Sequence, residues 1–101
     1  MARLTSAEGE VLLDEFRRYL RDHGQPVTRP RDRVARVVLR SDEHLSVEQI
    51  HQQLAQQGES VGLATIYRTL ELLEKSGLVR AHDFGQGFRR FEPNPGQGSH
   101  Y

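Results

Sequence analysis

Hydrophobic residues recur with a helical period in four stretches of the chain and with a period of two in a fifth, which predicts four helices followed by a hairpin. Leu12, Leu13, Phe16, Tyr19 and Leu20 mark one side of a first helix, opened by the capping box Thr5-Ser6-Ala7-Glu8 and stopped by Gly24. Thr28 caps a second helix ending near Arg40, with Pro30 in its first turn and Val34, Val37 and Val38 as its buried stripe. A second capping box, Ser46 with Gln49, starts a third helix whose core face is Val47, Ile50 and Leu54. After a turn over residues 56–61, Leu63, Ile66, Leu70 and Leu73 fall at i, i+3, i+7 and i+10, one face of a fourth helix closed by Gly77. Residues 78–84, LVRAHDF, and 88–92, FRRFE, read as strands joined through Gly85-Gln86-Gly87. The expected fold is mainly α with a small β-hairpin, a winged helix-turn-helix of four helices and a two-stranded wing.

The fourth helix has an outward face as informative as its buried one. Ala64, Thr65 and Arg68 turn away from the apolar stripe, with Tyr67 at its border. A guanidinium fork matches guanine O6 and N7, and an aromatic ring can lie against thymine methyls. An ordinary amphipathic helix with a solvated arginine has the same spacing, so the neighbours carry the argument. Helix, short turn and helix make a helix-turn-helix, in which the second helix enters the major groove. Arg89 and Arg90 follow the hairpin tip, where they can meet phosphates flanking the groove.

Composition narrows the class. A chain of 101 residues, 36% apolar and 28% charged, makes one globular domain. No apolar run approaches the ~18 residues of a membrane span and the first residues lack a signal-peptide core, so a cytoplasmic location is expected. The absence of cysteine excludes disulfides, thiolate zinc sites and thiol catalysis. No nucleophile with a base, phosphate-binding glycine loop or paired-carboxylate signature points to an enzyme. The net charge is zero, but between Arg17 and Arg40 eight arginines face only Asp22 and Asp32, a local excess of six positive charges. That block, which contains Arg21 and Arg31, is a candidate phosphate-binding surface; a solvated face has the same composition. Of the histidines, His23 reads as a surface residue suited to the helix dipole, His51 as a packed side chain and His82 as a wing residue that packs or meets solvent.

Thr28-x-x-Arg31, His44-x-Ser46, Gly62-Leu-Ala-Thr-Ile-Tyr-Arg-Thr-Leu70, Gly77-Leu-Val and Phe91-Glu92 ahead of Ser-His-Tyr resemble the N-terminal DNA-binding domain of the ferric uptake regulator (Fur) family. The similarity runs over about residues 20–101, and its G-L-A-T-I-Y-R string is highly specific. The resemblance implies a metal-responsive, homodimeric transcriptional repressor of A/T-rich inverted repeats. On that reading Tyr67 contacts thymines, Arg68 reaches bases, Ala64 and Thr65 lie by the DNA backbone, and Arg21 falls at a basic position near the minor groove, where the local residues differ from the family's. It also implies that His44, Glu92 and His100 are ligands of a regulatory site for Fe(II), Mn(II) or Zn(II). Imidazole and carboxylate suit those ions, although separations of 48 and 8 residues fit no local metal motif.

The family pattern continues into a Cys-x-x-Cys zinc site and a dimerisation domain, whereas this chain stops at Tyr101. The expected organisation is therefore a winged-helix domain over residues 1–92 and a linker over 93–101 toward a missing C-terminal domain, with metal binding weak or absent in these 101 residues. A winged-helix module that holds a protein partner is the alternative, suggested by Leu72, which the helical period points away from the other apolar residues.

Overall fold

Helix α2 (Arg29–Leu39) forms the centre of the molecule, touching α1 (Ser6–Asp22), α3 (Val47–Gln56), α4 (Leu63–Lys75) and strand β3 (Arg89–Pro93). The computed structural model describes residues 6–83 and 89–94. One stripe from each helix builds the core: Leu13, Phe16 and Leu20 from α1, Val34, Val38 and Leu39 from α2, Ile50 and Leu54 from α3, Ile66, Leu70 and Leu73 from α4. Local chemistry sets the boundaries. The Thr28 hydroxyl accepts from the Arg31 amide at the start of α2, and Ser46 and Gln49 exchange side-chain and backbone bonds at the start of α3. Between α3 and α4, Gly58 takes φ +78°, and the Glu59 amide reaches back to the Leu54 carbonyl at 2.8 Å. That left-handed turn re-aims the chain within a few residues. Thr5, the first residue of the expected α1 capping box, lies outside the described residues.

Close approach and ion pairs hold α1 on α2, Arg36 meeting Glu10 at 2.7 Å among them. A Cβ placed at buried Gly9 would lie 3.0 Å from the Arg40 Cγ and 3.3 Å from the Leu39 carbonyl oxygen, so a hydrogen is what allows this approach. Farther along, Arg17 grips both oxygens of Asp32 through Nε and Nη2, each at 2.8 Å, and Asp14 through Nη1. The hydrogen bonds from Arg17 hold the Asp32 carboxyl below its ordinary pKa, against the opposing effect of burial.

The sheet has three strands where the sequence predicts two. β1 (Leu45–Ser46) joins β2 (Val79–Asp83) and β3 in the antiparallel order β1-β3-β2, pairing Leu45 with Phe91 and Ser46 with Arg90. Its two residues are too few for alternation to register. Across β2 and β3 the pairs include Arg80–Glu92, Ala81–Phe91 and His82–Arg90. Leu45, Val79 and Phe91 are buried on the inner side. The expected hairpin loop at residues 85–87 lies outside the described residues.

Leu63, Thr69, Leu72 and His51 depart from the burial that the helical period suggests. Leu63, in the first turn of α4, is 48% exposed and lines an open groove; Thr69 takes a place in the buried face instead. The Thr69 hydroxyl donates to the Thr65 carbonyl at 2.7 Å, so its burial leaves no polar atom unpaired. Leu72 packs half-buried against the core rather than standing apart. His51, expected to be packed, is exposed.

Candidate functional site

The exposed face of α4 carries Leu63, Ala64, Tyr67 and Arg68, with Thr65 half-buried beside them. Tyr67 is 59% exposed, unusual for an aromatic side chain. Among the described residues no hydrogen bond or ion pair engages Arg68. An open groove runs from this face to the sheet, lined by Ala64, Tyr67 and Arg68 together with Glu48, Arg89 and Phe91. The arrangement presents a protruding helix with a free guanidinium and a ring, walled on one side by a strand.

Arg89 and Arg90 do not act as a pair. Successive residues of a strand point to opposite faces; Arg89 turns into the groove, where its guanidinium donates to Glu74 at 2.7 Å and stands 5.5 Å from the Phe91 ring centroid. Arg90 is paired with His82 and Ser46 and belongs to the other face of the sheet.

The basic block is largely neutralised within the fold. Arg29 and Arg33 both reach Glu59, Arg36 and Arg40 both reach Glu10, and Arg17 holds Asp14 and Asp32. Glu10 and Glu59 lie far from α2 in sequence, which is why a linear count overstates the free charge. Arg31 donates to the Pro26 carbonyl at 2.8 Å, bracing the extended link before α2. Arg21 is exposed in the last turn of α1; neither it nor Arg31 lines the groove.

On the outer face of the sheet the fold gathers a second constellation. The central strand supplies Glu92, whose Oε1 lies 3.0 Å from His44 Nε2 and whose Oε2 lies 2.6 Å from His82 Nε2. The two imidazoles stand edge to face, with centroids 5.3 Å apart. One ligand atom from each of the three residues falls within 4.8 Å of the others. Two imidazoles and a carboxylate form a donor set suited to Fe(II), Mn(II) or Zn(II). Arg80 Nε, 3.3 Å from Glu92 Oε2, adds a positive charge beside it. Of the residues expected from the sequence, His44 and Glu92 are thus in contact, and His100 lies outside the described residues. His82 is the member that sequence reasoning missed. The signal was available in the hairpin: β2 and β3 pair antiparallel, so His82 and Glu92 share a face one step apart.

Residues 22–101 match the profile of the Ferric uptake regulator family. The Ferric uptake regulation protein of Legionella pneumophila is 42% identical over 79 residues, covering 77% of this chain and 58% of that protein. The structure of the Helicobacter pylori ferric uptake regulator, described as revealing three functional metal binding sites, superposes with a TM-score of 0.77 at 29% identity over 92% of this chain and 61% of that one. The Pseudomonas aeruginosa regulator, solved with manganese, gives 0.66 at 38% identity over 76% of this chain and 58% of its own. The chain spans about three fifths of the length of these relatives. With its winged helix and its match over most of the sequence, the chain belongs to the ferric uptake regulator family and forms that family's N-terminal DNA-binding domain.

Proposed function

We propose that this domain reads double-stranded DNA through α4, as the DNA-binding part of a longer, homodimeric, metal-responsive repressor acting in the cytoplasm on A/T-rich inverted repeats. The observation that carries the reading is Arg68, exposed and unengaged among the described residues, beside the equally exposed Tyr67. In the major groove Arg68 donates to a guanine edge and Tyr67 lies against thymine methyls. Ala64 and Thr65, in the first turns of the helix, run close to the DNA backbone, and Arg89 meets phosphates from the groove wall. Arg21, Arg31 and Arg90 contribute to the surrounding field at longer range.

In the full-length protein the metal is held by His44, Glu92 and His100, with residues of a following domain. It supplies a multivalent positive charge that ties side chains from separate segments together. Fixing the angle between the two domains would place two copies of α4 at the spacing of successive half-sites. Of the linker expected over residues 93–101, Pro93 belongs to β3, paired with Val79, and the Asn94 amide donates to the Leu78 carbonyl at 2.8 Å, so the proposed linker between the domains begins after Asn94.

Fluorescence anisotropy of the chain on an A/T-rich inverted-repeat duplex and on a scrambled duplex, at two salt concentrations, tests this reading. Preference for the repeat with a steep loss of affinity in salt is expected. Equal, salt-insensitive binding to both would overturn it. Leu63, exposed next to Tyr67, favours a second reading in which the same face holds a protein partner. Such an interface would respond weakly to salt and strongly to Leu63→Ser.

A further inference from the structure

We infer that His82 is a metal ligand, and that His44, His82 and Glu92 together form a divalent-cation site carried by the wing of this domain alone. The inference rests on the reading of His44 and Glu92 as metal ligands and changes the membership of their site.

The geometry is built by the sheet. Each of the three residues belongs to a different strand or its extension: His44 immediately precedes β1, His82 lies in β2, and Glu92 lies in β3 between them. Continuing the Leu45–Phe91 pairing by one residue sets His44 across from Glu92, while Arg80–Glu92 and His82–Arg90 set His82 diagonal to it. Backbone ladders on both sides of β3 therefore fix the separation of the three side chains before any ion arrives. The two imidazoles approach different oxygens of one carboxylate, both through Nε2, at 3.0 and 2.6 Å. Ligand atoms held to one ion by bonds of ~2.0–2.2 Å lie roughly 3 Å apart, so small side-chain adjustments convert these contacts into coordination.

Burial is graded as a site needs. Glu92 is 22% exposed, His82 37% and His44 44%, so the carboxylate forms the floor and the imidazoles the rim. The rim leaves the outer side open to water or to a further ligand. Coordination through Nε2 needs each ring neutral with its proton on Nδ1, so a proton held on Nε2 moves to Nδ1 or leaves to solvent as an ion binds. Arg80 must turn away from Glu92, a movement its 56% exposure permits.

The test is Zn(II) titration of the 101-residue chain in a non-coordinating buffer, followed by long-range proton–nitrogen correlation spectra of the histidine rings. The expected result is one equivalent of Zn(II) shifting the Nε2 resonances of His44 and His82 together, with His23 and His51 unmoved. An unmoved His82 resonance overturns the inference without using any variant. Calorimetry then separates this proposal from the reading it rests on. His82→Gln, which keeps a donor to Glu92 but no imidazole, is expected to weaken Zn(II) binding at least tenfold; His100→Ala is expected to change it less than threefold. Loss with His44→Gln and Glu92→Gln but not with His82→Gln overturns the role of His82 and leaves the other site intact. Indifference to all three substitutions overturns both.

Discussion

Arg17 and Arg68 present the same guanidinium in opposite circumstances. In the α1–α2 layer, Arg17 is saturated by Asp32 and Asp14, and its neighbours Arg29, Arg33, Arg36 and Arg40 are each paired with an acid. On α4, Arg68 stands exposed without a partner among the described residues. Most of the richer concentration of positive charge is thus devoted to holding helices together, with Arg18 and Arg21 left exposed at the end of α1, whereas Arg68 stands unengaged on the face of α4 beside Tyr67. Charge density along a chain locates neither; the position of distant carboxylates does.

Separating binding from folding gives the comparison its strongest test. Arg68→Ala is expected to weaken binding to a preferred duplex by ~1–3 kcal/mol and relax selectivity at one base position, with the thermal unfolding midpoint unchanged. An equal loss on every sequence would assign Arg68 to phosphate rather than to a base. Asp32→Asn should do the converse, lowering stability by about 1 kcal/mol, since a bidentate, partly buried pair exceeds an exposed one, while leaving selectivity alone. Urea unfolding of the two variants side by side distinguishes these outcomes.

The same pair sets a pH dependence whose sign follows from Asp32. Its folded-state pKa lies below the ordinary 3.8, so the carboxylate binds fewer protons folded than unfolded. The stability it contributes is present in full above the unfolded value and is lost as pH falls through the folded one. The gap between the parent chain and Asp32→Asn should accordingly be constant near neutrality and close under acid. The smallest expected effect belongs to Glu59→Gln, which releases Arg29 and Arg33. Stability should change by a few tenths of a kcal/mol, and non-specific DNA affinity at low salt should rise severalfold only if the freed arginines face the duplex. An unaltered salt slope would place that surface away from DNA.

What the sequence made legible was what short-range chemistry determines. Thr28 and Ser46 announce their helices because a cap and its partners lie within three residues, and the period of Ile66, Leu70 and Leu73 sets the buried side of α4. Leu63 and Thr69 defeated that period for different reasons. The first lies in the opening turn of α4 and lines the open groove, and the second hides its hydroxyl in its own helix. Strand β1 and the ion pairs of α2 were invisible because their partners are remote: Leu45 finds Phe91, and Arg36 finds Glu10. Two of the three members of the histidine–carboxylate cluster, His44 and Glu92, were named through family likeness. His82 required the hairpin register, which no single motif encodes.

Strand β3 has a consequence for how the molecule tolerates change. Within four consecutive positions, Arg89 faces the groove, Arg90 and Glu92 face the outer cluster, and Phe91 fills the core. A slip of one residue in the pairing would trade Phe91 for Glu92, placing a carboxylate in the interior and a phenyl ring among the histidines. Errors in this strand therefore cannot be silent. A copy with a misaligned wing loses its apolar anchor along with its ligand-binding groups, so it fails as an unfolded chain rather than persisting as a folded domain with a defective reading face.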